Sequence, residues 1–174
     1  VISYLDEATG SEITVIPSEE YCVTAMVDFG TKVLGTQNAT MKSIKEFKSE
    51  IADCRTFSFL HELESLLNNG LIKGGDLNNA IVYVDKEISS ETMENLKKAF
   101  NKDTITVKEN GILDNLTLHY PNEAARHKLL DVIGKGMKVA EDIGALKKEK
   151  NVAVLQNKRW NEILEKMVAD GCQK

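Results

Sequence analysis

Arg126-His127-Lys128-Leu129-Leu130-Asp131 is the segment from which the rest of the chain is best interpreted. Pro121-Asn122 precedes it as a helix start, with Asn122 as the expected N-cap, so the run is predicted to be helical. A helix returns to the same face every 3.6 residues, which stacks His127 over Asp131. An imidazole nitrogen and a carboxylate so placed supply two of the four positions around a tetrahedral zinc. Lys128 lies beside them as a fixed positive charge, suited to a developing oxyanion. The spacing alone is met more often by a helix-surface His and Asp in a simple i,i+4 contact than by a metal pair.

Outward from that helix, the chain alternates strand and helix signals. Glu12–Ile16 and Tyr21–Phe29 read as strands joined across Pro17-Ser18. In the second, Tyr21, Val23, Ala25, Val27 and Phe29 share one face. Ser43 and Glu46 form a capping box ahead of the stripe Ile44, Phe47 and Ile51. A helix is predicted from about Phe59 to Asn69, burying Phe59, Leu63, Leu66 and Leu67 and stopped by Gly70. Ala80–Val84 is a short apolar strand, and Ser90–Phe100 a helix with Met93, Leu96 and Phe100 inward. Thr104–Val107 and Leu116–Leu118 are candidate strands around a turn at Asn110-Gly111. The predicted class is α+β, a layered domain with a mostly antiparallel sheet and helices on one face.

The last forty or so residues differ in texture. Met137, Ala140, Ile143 and Leu146 make one helical stripe, Val152–Leu155 a strand, and Trp160, Ile163, Leu164, Met167 and Val168 a second stripe. The expected division is therefore 1–134 for the main domain and 135–174 for a helix–strand–helix tail.

Composition narrows the function classes. At 174 residues, 42% hydrophobic and 28% charged, the chain can bury a real core. Residues 135–174 carry nine basic and six acidic side chains, net +3, which leaves −8 of the overall −5 on residues 1–134. An acidic body argues against a nucleic-acid partner, because phosphate binding needs clustered Lys and Arg. Cys22, Cys54 and Cys172 have no metal-type spacing, and their odd number speaks against a disulfide framework, so a reducing cytoplasm is expected. No apolar run approaches the roughly 20 residues of a transmembrane span. The chain opens at Val1 without methionine and turns strand-like almost at once, which leads us to expect a piece of something longer.

Four segments in order carry a resemblance: Pro17…Asp28-Phe29, Cys54-Arg55-Thr56-Phe57-Ser58-Phe59, Gly70-Leu71-Ile72-Lys73-Gly74-Gly75-Asp76-Leu77-Asn78-Asn79-Ala80-Ile81-Val82, and Arg126-His127-Lys128-Leu129-Leu130-Asp131-Val132-Ile133-Gly134. Together they resemble the second domain of the zinc-dependent UDP-3-O-acyl-N-acetylglucosamine deacetylases of lipid A biosynthesis. The form is similar to that of the Bacteroides group, often fused to a hydroxyacyl-carrier-protein dehydratase. Residues from about Lys86 to Leu118 look like a lineage insertion. The resemblance implies that His127 and Asp131 are two of three protein zinc ligands and that Lys128 binds substrate and stabilises charge. It further implies that the Thr56 hydroxyl helps hold the oxyanion. Phe57 and Phe59 would line the sugar and acyl passage, although both are equally readable as core at a helix entrance. The Leu71–Val84 segment, with Gly75 contacting substrate, would wall a slot for the 3-hydroxyacyl chain. The implied substrate is UDP-3-O-acyl-N-acetylglucosamine and the implied cofactor Zn2+.

The chain also departs from that pattern. The family's general-base glutamate and remaining zinc histidine belong to a first domain, expected before Val1. Lys135 stands where the family continues with an aspartate, and no histidine follows His127. The expectation is a fragment inactive alone. The alternative is a non-catalytic binding or packing module derived from the same domain, with the tail as a separate association element. His61 and His119 are single histidines without partners at a useful spacing and are assigned no chemistry.

Overall fold

The computed structural model describes residues 1–7, 10–63, 79–113, 116–142, 146–149 and 152–155. Strands β1 (Ile2–Asp6) and β2 (Ser11–Val15) form an antiparallel hairpin with Ile2 opposite Val15. Strands β3 (Val23–Val27) and β4 (Gln37–Met41) form a second, with Val23 opposite Met41. A 3-10 turn at Ile44–Glu46 leads into the short helix α1 (Phe47–Glu50). The capping box is present in a shifted form: Ser43 Oγ accepts from Lys45 N, and the Glu46 carboxylate accepts from Lys42 N at 3.0 Å.

Strand β5 (Thr56–Phe59) then pairs in parallel with β6 (Ala80–Tyr83), Thr56 against Ala80 and Phe59 against Tyr83. Helix α2 covers Ser90–Phe100, capped by the Ser89 hydroxyl accepting from Thr92 N and ended by Asn101 in the left-handed conformation. Helix α3 runs Glu123–Asp142, and β7 (Leu146–Glu149) pairs antiparallel with β8 (Val152–Leu155).

Helix α3 is the shared wall of two apolar clusters. Its Ala125 and Leu129 bury with Val27, Ala39, Met41 and Ile51, while Ala124 buries with Leu34, Phe59, Ile81, Tyr83 and Ile112. Along β6, Ile81 and Tyr83 point toward α3, whereas Val82 packs with Leu60, Leu96, Ile105 and Leu113 under α2. The class is α+β, as the sequence implies. The helices, however, lie on both faces of the β5–β6 pair rather than on one. That pair is also parallel rather than antiparallel.

Other local expectations are revised. Arg55-Thr56-Phe57-Ser58-Phe59 is not a helix entrance. Its aromatic side chains alternate with hydroxyl ones at the strand period, and helical backbone starts only at residues 60–63. Residues 104–107 and 116–118 form no named strand; single bridges join Val107 to Leu113 and Tyr83 to Ile112. Asn122 precedes α3, but its side-chain oxygen accepts from Arg126 Nε at 2.8 Å. In the tail, α3 continues through Gly134 to Asp142. Leu146 belongs to a strand instead of the predicted helical stripe. The predicted Trp160 stripe lies outside the described residues.

The turn at Asn110-Gly111 is as expected, and it is tight. Gly111 N donates to Lys108 O at 2.8 Å, and Gly111 holds φ +76°. A Cβ there would meet Val33 Cγ1 at 2.5 Å. Gly10 has a similar φ of +71° but open space around it. Gly111→Ala should therefore cost about 2–4 kcal/mol, the left-handed penalty plus overpacking. Gly10→Ala should cost about 1–2 kcal/mol. Urea unfolding of the two variants compares them directly.

Candidate metal and substrate site

The site is held by one buried ion pair. Glu123, the first residue of α3, is fully buried, and its carboxylate takes four donors. Arg55 gives its backbone N (3.0 Å) and Nε (2.9 Å) to Oε1 and Nη2 (3.1 Å) to Oε2, and His119 N gives a 2.7 Å bond to Oε2. Burial pushes this carboxyl's pKa up. The Arg55 guanidinium and the two backbone N–H groups outweigh that and hold it below the ordinary 4.5. Arg55 Nη2 also reaches Thr117 O at 2.8 Å. Next to it, burial and then the Glu123 charge push the Cys54 thiol up to about 11, which leaves it neutral and unreactive.

This pair sets α3 against β5 so that His127 and Phe57 face each other. Their ring centroids are 6.3 Å apart, edge to face. His127 Nε2 lies 3.6 Å from Asp131 Oδ1, with side chains 15% and 26% exposed. That separation is too long for a hydrogen bond. It is close to the roughly 3.3 Å edge between two ligand atoms of a zinc tetrahedron with arms of about 2.0–2.1 Å. His127 Nδ1 is buried with no hydrogen-bond partner among the described residues. It is the nitrogen that carries the proton when an imidazole binds metal through Nε2. The donor types and their separation fit a zinc ligand pair, whereas Nδ1 lacks, among the described residues, the acceptor that such a histidine ordinarily finds. Among the described residues no group of three or more metal-ligating side chains is present.

Lys128 does not stand free. Its Nζ donates to Asp131 Oδ2 at 3.1 Å and sits 5.5 Å from the Phe57 ring centroid. From Phe57 a row of rings extends away from the metal pair: Phe29 lies 5.5 Å from Phe57 and 5.6 Å from Phe59, and Tyr83 lies 6.1 Å from each. Phe59 ends the row with His61 stacked on it at 5.8 Å. Phe29 is exposed and Phe57 half-buried, while Phe59 and Tyr83 are buried, so the row meets solvent at its Phe29 and Phe57 end. The structure thus brings together His127, Asp131, Lys128, Phe57 and Phe59. Thr56 is exposed at the start of β5, where alternation turns its side chain to the face opposite Phe57. Gly75 lies outside the described residues. Sequence reasoning assigned no role to Phe29, Tyr83 or the His61 Nδ1–Asp85 Oδ1 contact of 3.1 Å; only the Asp28-Phe29 pair was visible in a motif.

A sequence model of the family described as UDP-3-O-acyl N-acetylglycosamine deacetylase matches residues 3–100, more than half of the chain. The chain belongs to the UDP-3-O-acyl-N-acetylglucosamine deacetylase family. A bifunctional enzyme LpxC/FabZ of Bacteroides thetaiotaomicron is 42% identical over 133 residues, 76% of this chain and 29% of that protein. A second bifunctional enzyme LpxC/FabZ, from Chlorobaculum tepidum, is 41% identical over 126 residues, 71% of this chain and 27% of that protein. A UDP-3-O-acyl-N-acetylglucosamine deacetylase of Syntrophotalea carbinolica is 32% identical over 123 residues, 70% of this chain and 32% of that protein. The stretch that aligns thus spans only about a third or less of these relatives' own length. The ending, unplaced by sequence reading, also has a match: a model described as chorismate mutase type II covers residues 127–174, starting inside α3 at His127 itself. No helix among the described residues is long and apolar enough to cross a membrane.

The ion pair gives the site a defined acid sensitivity. Because the folded pKa of Glu123 is lowered, its stabilisation is complete above 4.5 and disappears as pH falls through the lowered value. Glu123→Gln leaves the Arg55 charge buried without its partner and should cost about 3–5 kcal/mol at neutral pH. It should also flatten this acid dependence, as thermal unfolding between pH 3 and 7 would show.

Proposed function

We propose that the chain is the second domain of a zinc-dependent cytoplasmic deacetylase that acts on UDP-3-O-(3-hydroxyacyl)-N-acetylglucosamine in lipid A biosynthesis. The observation that carries this reading is the His127 Nε2–Asp131 Oδ1 pair at 3.6 Å, beside an aromatic wall, in a member of the deacetylase family. His127 through Nε2 and Asp131 through Oδ1 would hold the zinc, which supplies a Lewis acid and an acidified water at neutral pH when bound. Lys128 would place its ammonium near the acetamide oxygen, where negative charge develops. Thr56 would add its hydroxyl only by way of a substrate that passes round the start of β5, because its side chain lies on the strand face opposite Phe57. The wall of Phe29, Phe57 and Phe59 would carry the apolar surface of the substrate, with Gly75 in the segment that walls the acyl chain.

The remaining chemistry would come from outside these residues. A base and a third zinc ligand would lie on a preceding domain, in keeping with relatives of which the match spans about a third or less. The proton for the leaving amine would require a histidine beyond His127, which this sequence does not have. The isolated chain is thus expected to bind zinc weakly and to turn over no substrate. A fused dehydratase partner is supported by relatives named LpxC/FabZ. The match of residues 127–174 to chorismate mutase type II favours a second reading, a deacetylase-derived module that no longer catalyses and ends in a separate element.

Calorimetric zinc titration tests the first reading. Weak binding that His127→Ala abolishes is the expected outcome, and nanomolar binding indifferent to that substitution would sink it. In a chain given a first domain and a histidine-bearing ending, activity should appear, and Lys128→Ala or Thr56→Ala should each cost about 2–4 kcal/mol of barrier, as for one lost oxyanion donor. If the repaired protein binds zinc yet never deacetylates, the module reading wins.

A further inference from the structure

Lys128 stands in a relation to the ligand pair that its charge-stabilising role does not use. Its Nζ donates to Asp131 Oδ2 at 3.1 Å, while His127 Nε2 faces the other oxygen, Oδ1. The two carboxylate oxygens are divided between an ammonium and an imidazole. The ammonium is held in place: the Lys128 side chain is 18% exposed, and the Phe57 ring lies 5.5 Å away.

A carboxylate can bind a cation through one oxygen or through both. Zinc in a four-coordinate site takes single donors from each ligand, whereas larger, oxygen-seeking cations raise their coordination number by taking both oxygens. An ammonium bonded to the second oxygen competes for the lone pairs that the two-oxygen mode requires. We infer that Lys128 is a positioning residue that selects the metal: by occupying Oδ2 it holds Asp131 to single-oxygen binding through Oδ1, favouring a small four-coordinate cation over a larger one. This rests on the reading of His127 and Asp131 as metal ligands. An ordinary i,i+3 surface pair would steady the helix slightly and leave metal preference alone.

The test uses the full chain, titrated separately with Zn2+ and Mn2+ against a chromophoric chelator. Wild type is compared with Lys128→Met, Lys128→Arg and His127→Ala, each checked by circular dichroism, with Lys128→Gln replacing the methionine variant if that does not fold. Removing the ammonium should tighten both metals, and Mn2+ by about tenfold more than Zn2+, the scale of one charge-assisted bond. Lys128→Arg should keep the wild-type ratio. If the zinc-to-manganese ratio does not move in the neutral variants while His127→Ala abolishes zinc binding, the inference falls and the ligand pair stands. If wild type binds no zinc, or His127→Ala leaves binding unchanged, the ligand pair is wrong and the inference goes with it.

Discussion

The buried carboxylate of Glu123, met by Arg55 from a position 68 residues earlier, is the constraint on which the remaining geometry depends. Taking both charges out of water is costly, and the cost is offset only because four donors saturate the carboxylate in good geometry. The placement matters as much as the energy. Arg55 immediately precedes Thr56 and Phe57, and Glu123 lies one helical turn before His127. One interaction therefore sets the aromatic strand and the metal-capable helix in a common frame. A carboxylate at the first residue of a helix also meets the positive end of its dipole, so sequence position and charge agree.

Around that frame, polar and apolar functions are separated by strand and helix periods. The two-residue period of β5 sends Phe57 and Phe59 into the ring wall and leaves Thr56 on the other side. The near-four-residue period of α3 gathers Ala125, Leu129 and Ile133 against β3 and β4, while His127 and Asp131 rise on another face beside Phe57. Neither element could do this alone. The strand has no ligand, and the helix has no wall.

Long, well-punctuated elements were the legible ones. Ser90–Phe100 could be read from its periodicity, and its Ser89 cap and left-handed Asn101 end are local signals of the kind a sequence carries. The His127–Asp131 pair was likewise visible because both residues sit on one helix. By contrast, β4 escaped notice because Gln37-Asn38-Ala39-Thr40-Met41 buries only alternate, small or flexible side chains. The strand at Thr56–Phe59 was hidden by the helical turn at 60–63, because Phe59, which ends the strand, could equally open a helical stripe with Leu63. The ring wall joins Phe29, Phe57, Phe59, His61 and Tyr83 from three separate segments, and Arg55–Glu123 ties one of these to a fourth. Such convergence is a property of the folded chain, and no spacing rule reports it.

Helix α3 gives the molecule a kind of gearing. It begins on the buried ion pair, passes under the ligand pair and runs on without a break to Asp142, across the point where a second family's pattern has already begun. A continuous helix has almost no torsional slack. Each residue inserted or deleted between Gly134 and Asp142 would turn the remainder of the helix by about 100° and move it by about 1.5 Å. The second family's pattern thus begins within a helix whose first turns are already committed to the core through Ala124, Ala125 and Leu129.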